Sequence, residues 1–180
     1  VMVGSREEER AVRAAESLSE LVSSDLVAAG SNRDVAQESD VVFVAVPYFG
    51  HRDTLLALTG ELAGKVVVDV VAPLSFQRGH ASAVTVEEGS VALQAQAILA
   101  ESRVVAAFQT ISAQDLLVPD KLIDSDVVVC ADDAGVRESV MGLSETIAGV
   151  RAVNGGGLEN ARYIEDFTAL LLNINRIYKA

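Results

Sequence analysis

Three consecutive residues near the start of the chain, Gly4, Ser5 and Arg6, are of types that bind phosphate. A serine hydroxyl and the free N–H groups of a helix N-terminus can donate hydrogen bonds to a phosphate, and an arginine can pair with its charge. Apolar residues 1–3 precede this turn, and an alanine-rich helical pattern follows it. We therefore expect a buried strand that turns at once into a helix, with a candidate phosphate site at the turn.

The same turn bears on the choice of dinucleotide. In dinucleotide-binding folds an acidic residue at the end of the second strand binds the ribose hydroxyls of NAD, whereas an arginine nearby accommodates the 2′-phosphate of NADP. Ser5 and Arg6 therefore favour NADP, with Arg10 and Arg33 as candidate helpers. A capped helix start, in which Ser5 is the N-cap and Glu8 completes a capping box, explains these residues equally well.

The glycine-rich motif of such folds, Gly-x-Gly-x-x-Gly after the first strand, does not occur in the 180 residues. Either the dinucleotide interpretation is wrong, or the sequence begins at the second strand of the fold. We favour the second interpretation, because the strand, turn and helix begin at residue 1. A chain of these residues alone would have two unpaired inner strand edges. We expect it to bind NADPH poorly, and an upstream strand with a glycine loop to restore binding.

A second candidate region follows the apolar segment 41–46, which ends at Pro47. A continuous apolar run is typical of a parallel strand covered on both faces. Proline has no N–H for the hydrogen-bond ladder, so Pro47 ends the strand, and ligands of open α/β sheets lie beyond such ends. We expect Pro47, Tyr48 and Phe49 to face a ligand crevice. A plain strand-to-helix turn is an equally good interpretation.

The apolar run 66–71 resembles this segment, because it ends at Ala72-Pro73. Asp69 interrupts the run and needs a partner if it is buried. His51 could border the ligand pocket, but a capping or surface role is favoured, and His80 is expected to be solvated. The sequence contains neither a Ser/His/Asp or Cys/His nucleophile set nor a metal-ligand spacing. Any chemistry would then belong to bound cofactors.

Short strands alternate with helices along the whole chain, which predicts βαβ units and a mainly parallel sheet. The predicted class is α/β: a Rossmann-like doubly wound sheet lacking its first strand and glycine-rich loop, with a long C-terminal helix. Residues 1–180 form a single NADP-binding domain, with a nucleotide-binding core at 1–131 and a C-terminal α/β part at 132–180. Residues 51–63 and 87–100 are predicted to be helices, 74–85 a loop, and 158–178 the long helix. Its apolar residues recur three and four apart and should pack on the domain and, in one interpretation, on a second subunit in a homodimer: Ala161, Ile164, Phe167, Leu171, Ile174 and Tyr178.

Composition restricts the class of protein. The chain is 50% hydrophobic, with a mean hydropathy of +0.32, which excludes a disordered or fibrous protein. A net charge of −12 and a pI near 4.5 argue against nucleic acid and acidic membranes as partners, and leave small-molecule cofactors. The single cysteine, Cys130, lies in an apolar run and is predicted to be a core thiol. With no membrane-length run and no signal peptide, we expect a cytoplasmic protein.

Several segments together resemble the NADPH-dependent reductases of the deazaflavin coenzyme F420. The likeness extends over essentially the whole chain, at Val3-Gly4-Ser5-Arg6, Val44-Ala45-Val46-Pro47, and residues 68–74, 105–113, 132–133, 157–162 and 173–176. The resemblance implies a hydride transfer between NADP(H) and coenzyme F420. It places the NADP 2′-phosphate on Ser5 and Arg6. The chain differs from the family where Gln109 replaces a frequent histidine, and where it ends short of a further C-terminal segment.

The resemblance also implies where the nicotinamide ring of NADP(H) stacks on the deazaflavin ring of coenzyme F420. Two strand-end turns would line that place, and residues 108–113 with the start of the last helix would close over the deazaflavin. Arg78 is a candidate partner for the anionic deazaflavin tail. The cofactor-binding residues implied beyond Ser5 and Arg6 are Val46, Pro47, Ala72, Pro73, Leu74, Gln109, Thr110 and Ile111.

Two other functions remain open at this point. An NADP-dependent imine reductase of the pyrroline-5-carboxylate reductase type shares the first domain, but carries a long helical dimerisation domain. Only about fifty residues follow the Cys130 strand here, among them another strand, which disfavours this alternative. A non-catalytic NADP-binding sensor is the other alternative.

Overall fold

The computed structural model describes residues 1–22 and 26–179, and in those residues nine strands alternate with eight α-helices. The apolar residues 26–29 predict a short strand; in the structure this strand begins at Ala28, and residues 23–25 before it lie outside the described part. The strands are β1 (Met2–Ser5), β2 (Ala28–Ser31), β3 (Val41–Val44), β4 (Val66–Asp69), β5 (Leu74–Gln77), β6 (His80–Ala83), β7 (Arg103–Ala106), β8 (Ser125–Val129) and β9 (Val150–Asn154).

Helices connect the parallel strands, as the alternation predicted. Among the described residues no helix is both long enough and apolar enough to span a bilayer. A 3-10 turn at Leu158–Asn160 leads into the last helix, so the predicted helix 158–178 is α-helical from Ala161. The helices are α1 (Glu8–Val22), α2 (Asn32–Glu38), α3 (Tyr48–Leu56), α4 (Thr59–Leu62), α5 (Val91–Ile98), α6 (Ala113–Leu116), α7 (Ala134–Ser144) and α8 (Ala161–Tyr178).

The strands form a central parallel sheet with parallel pairs beside it. The central order is β3-β4-β7, and β1-β2 and β8-β9 are separate parallel pairs. Ala106 of β7 and Cys130, just after β8, exchange two backbone hydrogen bonds of 2.9 and 3.0 Å in an antiparallel bridge. These pairings confirm the mainly parallel α/β architecture.

The central sheet is covered on both faces, as a doubly wound fold requires. Val67 of β4 belongs to one buried cluster and its neighbour Val68 to another, because successive side chains of a strand point to opposite faces. Leu55 of α3 and Ala92 of α5 belong to the first cluster, and Val136 of α7 belongs to the second. Continuous apolar runs in these strands are therefore explained by burial on both sides.

Three carbonyl groups at the end of α2 converge on one lysine. The Lys65 ammonium, immediately before β4, donates to the carbonyls of Ala36, Gln37 and Ser39 at 2.6, 2.7 and 2.7 Å. A helix C-terminus leaves such carbonyls without intrahelical partners, and a cation there also offsets the helix dipole. Helix α2 contacts β1 and β2. The hydrogen bonds of Lys65 therefore connect the central sheet, through α2, to this strand pair.

Two predicted elements differ in the structure. Residues 51–63 form two helices rather than one, because Leu58, with φ −123° and ψ 10°, leaves the helical conformation and is buried in the core. Residues 74–85 form a hairpin of β5 and β6 rather than a loop. Arg78 and Gly79 at its turn have φ values of 48° and 79°, which is the left-handed pair that tight hairpins need. The helix predicted from 87 starts at Val91, capped by Ser90.

The last helix packs on the domain through part of the predicted face, since Ala161 is buried and Ile164 packs on the core. Its buried residues are small or polar: Ala161, Glu165, Thr168 and Ala169. By contrast Phe167 is 46% and Tyr178 77% exposed, so the prediction that these two pack on the domain was wrong. Hydrophobic periodicity located the helix but could not show that Glu165 accepts hydrogen bonds from Val91 and Ala92, or that Thr168 donates one to Gln109, on the face that packs against the domain.

Replacing Lys65 by methionine should destabilise the protein measurably. Lys65→Met leaves three carbonyls without their donor, so we expect the free energy of unfolding to fall by about 1–3 kcal/mol. Urea denaturation measures the change. Lys121→Met is the matched control, because Lys121 pairs with Asp115 at a largely exposed site; it should cost less than about 1 kcal/mol. Equal losses in the two variants would contradict the role assigned to Lys65.

Candidate functional site

A pocket of about 380 Å³ lies beside the carboxyl ends of β1 and β2. The two strand ends are level, because Ser5 pairs with Ser31 in the parallel register. The structure thus brings Ser5, Arg6 and Arg33 together, and adds residues of α3 that sequence reasoning did not identify. The lining residues are Ser5, Arg6, Ser31, Asn32, Arg33, Asp53, Thr54, Ala57 and Leu58.

Local hydrogen bonds shape the turns at the pocket. The Ser5 hydroxyl accepts a hydrogen bond from the backbone N–H of Glu7 at 3.2 Å, and α1 begins one residue later. The capping box lies at α2, where Ser31 Oγ accepts from Asp34 N–H and the Asp34 carboxylate accepts from Ser31 N–H. Asn32 has a residue type typical of a helix cap, but Ser31 before it is the cap of α2. The Ser31–Asp34 spacing is itself a capping-box signal.

The three arginines differ in how far their charges are already neutralised. Arg10 pairs with Glu7 at 2.7 Å. Arg33 pairs with Glu61 and donates to the carbonyl of Ala57 at 3.3 Å. Exposed Arg6 has no ion pair with any residue of 1–22 or 26–179. Arg6 is therefore the cation at this pocket that is available to an anionic ligand.

The turns assigned to the rings follow three adjacent strands of the central sheet. Val46 and Pro47 follow β3, Ala72 and Pro73 follow β4, and Gln109 follows β7. Their strand ends are level: the Val70 amide donates to Val44 O at 3.3 Å, and the Ala107 amide donates to Asp69 O at 3.2 Å. Pro47 is exposed and becomes the N-cap of α3, while Pro73 and Gln109 are buried. The remaining five residues of the set are half-buried: Val46, Ala72, Leu74, Thr110 and Ile111.

The ring-assigned residues do not line the Ser5–Arg6 pocket. The structure therefore places the predicted site residues in two groups, one at the β1–β2 ends and one at the β3–β4–β7 ends. Helix α3 links them, because it starts at Pro47 and contributes Asp53 and Thr54 to the pocket. Of the residues predicted to face a crevice beside Pro47, Phe49 is 80% exposed, whereas Tyr48 packs on the buried Val71.

A buried histidine–aspartate pair lies under the second group. His51 is fully buried and its Nε2 is 2.8 Å from Asp69 Oδ2, so a capping or surface role for His51 was wrong. Asp69 has the partner that its burial requires. The other carboxylate oxygen of Asp69 accepts the Val71 N–H at 3.1 Å, and the Asp69 carbonyl accepts Gln109 Nε2 at 2.9 Å. The acid in an apolar run predicted that Asp69 needs a partner. The identity of that partner could not be predicted, because His51 lies 18 residues away in the chain.

The turn after β7 contains an unusual backbone conformation. Phe108 has φ 71°, a left-handed value that costs a bulky residue conformational energy. Its ring lies 5.8 Å from the Phe43 ring, centroid to centroid. Next to it, Thr168 Oγ1 of α8 donates to the Gln109 carbonyl at 3.1 Å. Contacts from β3 and α8 thus hold this turn in place despite its strain.

Glu165 of α8 is a buried acid near this region. Its carboxylate accepts the N–H groups of Val91 and Ala92, at 2.7 and 3.1 Å, at the start of α5. Burial is the main cause that raises the pKa of Glu165 to about 7; the charges of Asp69 and Asp166 act in the same direction, and the two N–H donors act against it. Sequence reasoning placed no function here, because a glutamate in an amphipathic helix is usually solvated.

Cys130 is a core thiol, as predicted. Its side chain is buried, and burial raises the pKa of the thiol to about 11. A thiol with so high a pKa is scarcely ionised near neutral pH, so it is a poor nucleophile.

The sequence profile of the family described as NADP oxidoreductase, coenzyme F420-dependent, matches residues 1–73. The F420-dependent NADP reductase of Methanocaldococcus jannaschii is 36% identical over 187 residues, covering 100% of this chain and 83% of that protein. The chain belongs to the F420-dependent NADP reductase family. The reductase of the same name from Methanothermobacter thermautotrophicus is 38% identical over 181 residues, covering 97% of this chain and 78% of that protein.

A solved structure supports the fold of this F420-dependent NADP reductase family member. A crystal structure from Arthrobacter sp. FB24, of a candidate F420-dependent NADP reductase, superposes with a TM-score of 0.81 at 24% identity. It covers 100% of this chain and 84% of the other. The Rossmann-like doubly wound architecture predicted from the sequence is therefore confirmed.

The stability of the protein should depend on pH through Glu165. Its pKa is about 7 in the folded state against 4.5 for an ordinary glutamate, so between these values the folded state binds more protons than the unfolded state. The free energy of unfolding therefore falls as the pH rises through this window. Compared with Glu165→Gln, the wild type should lose on the order of 2 kcal/mol between pH 5 and pH 8.

Urea denaturation at a series of pH values measures this difference. Glu138→Gln, an exposed position on α7, is the control and should keep the wild-type pH dependence. Identical pH dependence in the wild type and Glu165→Gln would contradict the assignment.

Proposed function

We propose that the protein transfers a hydride between NADP(H) and coenzyme F420. Relatives that match nearly the whole chain bear the name F420-dependent NADP reductase. The observation that carries the proposal is the arrangement of the site: three level strand ends bear apolar turns, and helix α3 links them to a pocket with an unpaired arginine. NADPH and the deazaflavin supply the redox chemistry when bound.

The donors at the pocket suit a 2′-phosphate. Ser5 contributes a hydroxyl that accepts the Glu7 N–H and donates to none of the described residues, and the Arg6 guanidinium has no ion pair among those residues. In a protein with net charge −12, an anionic ligand needs such a local cation. We therefore assign the phosphorylated ribose of NADP to Ser5 and Arg6.

The second group of residues suits two stacked rings. Hydride transfer between rings needs a dry cleft and an exact face-to-face position, and it does not require an acid or a nucleophile from the protein. Apolar walls and backbone groups suffice for both requirements. We assign the walls to residues of the three strand-end turns: Val46, Pro47, Ala72, Pro73, Leu74, Gln109, Thr110 and Ile111.

A turnover assay tests this function. The full-length protein should oxidise NADPH when the oxidised deazaflavin is added, with one NADPH consumed for each deazaflavin reduced, and should not oxidise NADPH without it. Absorbance of both compounds reports the reaction. NADPH binding without turnover would instead support a sensor, and oxidation of NADPH with pyrroline-5-carboxylate would support an imine reductase.

Arg6 should select NADPH over NADH. Arg6→Ala removes the charge that pairs with the 2′-phosphate, so the KM for NADPH should rise about 10- to 100-fold. Activity with NADH should not change, since NADH has no 2′-phosphate. Arg10→Ala is the matched control, because Arg10 lies on the same segment but already pairs with Glu7. A loss that is equal for the two nucleotides would show that Arg6 does not bind the phosphate.

We also infer a homodimer in which a second copy covers the exposed apolar face of α8. Leu170 is 51%, Ile177 71% and Tyr178 77% exposed, and Phe76 of the neighbouring hairpin is 64% exposed. Helix α8 contacts β6 of that hairpin, so these side chains extend one apolar surface. Apolar surfaces of this kind mark protein interfaces.

The oligomeric state of two variants tests the homodimer. The wild type should be a dimer by light scattering, and Leu170→Glu with Ile177→Glu should give a folded monomer. Val12→Glu is the control, because Val12 is an exposed apolar residue of α1; it should leave the dimer intact. A monomeric wild type would rule out this interface.

A further inference from the structure

A chain of buried polar contacts joins four elements beneath the strand-end turns. His51 of α3 bonds the Asp69 carboxylate at the end of β4, and the Asp69 carbonyl accepts Gln109 Nε2 from the turn after β7. The Gln109 carbonyl in turn accepts Thr168 Oγ1 of α8. The exposed fractions of these four residues are 0, 0, 7 and 9%. The contacts therefore form a network inside the protein and not on its surface.

Such a network is a costly way to stabilise a core. Well-packed apolar residues of similar volume often stabilise a protein as well as a buried ion pair does. This network is also incompletely satisfied, because His51 Nδ1 and Gln109 Oε1 have no hydrogen-bond partner in the described part of the chain. A buried polar cluster with such defects is better explained by a positioning role than by stability.

Asp69 contacts both turns that flank the proposed ring site. Its Oδ1 accepts the Val71 N–H, which fixes the backbone just before Ala72 and Pro73. Its carbonyl accepts both the Ala107 N–H at 3.2 Å and Gln109 Nε2 at 2.9 Å. His51 is the donor to the remaining oxygen, Oδ2. The orientation of one carboxylate, set by His51, therefore couples the turn after β4 to the turn after β7.

We propose that His51 and Asp69 are positioning residues for hydride transfer, which fix the spacing of the turns after β4 and β7 that wall the two stacked rings. The proposal rests on the function proposed above. Both residues are buried and need not contact either ring. Their effect is on the distance and angle between the rings, which the turns determine.

This role predicts a specific kinetic pattern. A misplacement of reacting groups by about 1 Å can cost roughly 100-fold in rate. Binding of the 2′-phosphate is assigned to Ser5 and Arg6, in a pocket that neither His51 nor Asp69 lines. Loss of the pair should therefore lower kcat and leave the KM for NADPH nearly unchanged.

Two substitutions of His51 separate the hydrogen bond from the volume of the side chain. His51→Leu keeps an apolar side chain of similar size but leaves Asp69 Oδ2 without its donor. His51→Gln places an amide N–H near the position of Nε2 and should restore the bond. We expect kcat of the full-length His51→Leu variant to fall about 10- to 100-fold, and that of His51→Gln to return most of the way to the wild-type value.

Ser102→Ala is the matched control for lost stability. Ser102 is also buried, and its hydroxyl donates to Leu62 O at 2.7 Å, just before β7 and so at the opposite end of the sheet. It should lower stability without lowering kcat. Full kcat in a folded His51→Leu variant, an equal fall in Ser102→Ala, an effect confined to KM, or a failure of His51→Gln to restore the rate would each overturn the proposal.

A second variant and a second measurement keep the test decisive. If His51→Leu does not fold, Asp69→Leu removes at similar volume the carboxylate that bonds His51 and Val71, and should lower kcat with the same unchanged KM. Inactivity of the wild type with NADPH and deazaflavin would count against the proposed function alone. Hydrogen exchange of the Val71 amide then tests the positioning role: the rate should be at least about tenfold faster in His51→Leu than in Ser102→Ala, and equal rates would overturn the proposal.

Discussion

The structure depends on the burial of a carboxylate at the end of a strand that is covered on both faces. β4 is flanked by β3 and β7 and lies between two core clusters, so Asp69 has no access to water for its charge. The free energy of burying it must be recovered from hydrogen bonds. His51, Val71 and Gln109 supply donors to Asp69, and this requirement shapes the turns at the carboxyl edge of the sheet.

The two-faced sheet also explains where a ligand can bind. Helices cover both faces, so the loops at the carboxyl edge are the natural place for a crevice. The edge carries two kinds of group: apolar, proline-ended turns after β3 and β4, and polar groups at the ends of β1 and β2. A nucleotide with a charged ribose and an uncharged reactive ring needs both kinds. In a protein with net charge −12, Arg6, which has no ion pair among the described residues, is the group that attracts the phosphate.

Local sequence signals predicted many of the boundaries of the strands and helices. Pro47 follows its strand, as predicted, and Gly64, with φ 76°, follows a helical region, because each residue restricts or permits a backbone angle by its own chemistry. The hairpin around Arg78-Gly79 was missed because its strands are only four residues long and form a separate two-stranded sheet. The orientation of α8 and the His51–Asp69 pair were missed because they depend on contacts between distant segments. The same holds for Thr54, whose place at the pocket follows from the packing of α3.

A crystal structure of the full-length protein with NADP⁺ and the deazaflavin tests the central claim most directly. The claim is that the phosphorylated ribose binds at the carboxyl ends of the β1–β2 pair, and that two stacked rings bind at the carboxyl ends of β3, β4 and β7. The account predicts hydrogen bonds from Ser5 and Arg6 to the 2′-phosphate, and a nicotinamide ring between the turns at Pro47 and Pro73. A 2′-phosphate bound away from Ser5 and Arg6, or rings bound away from those turns, would contradict it.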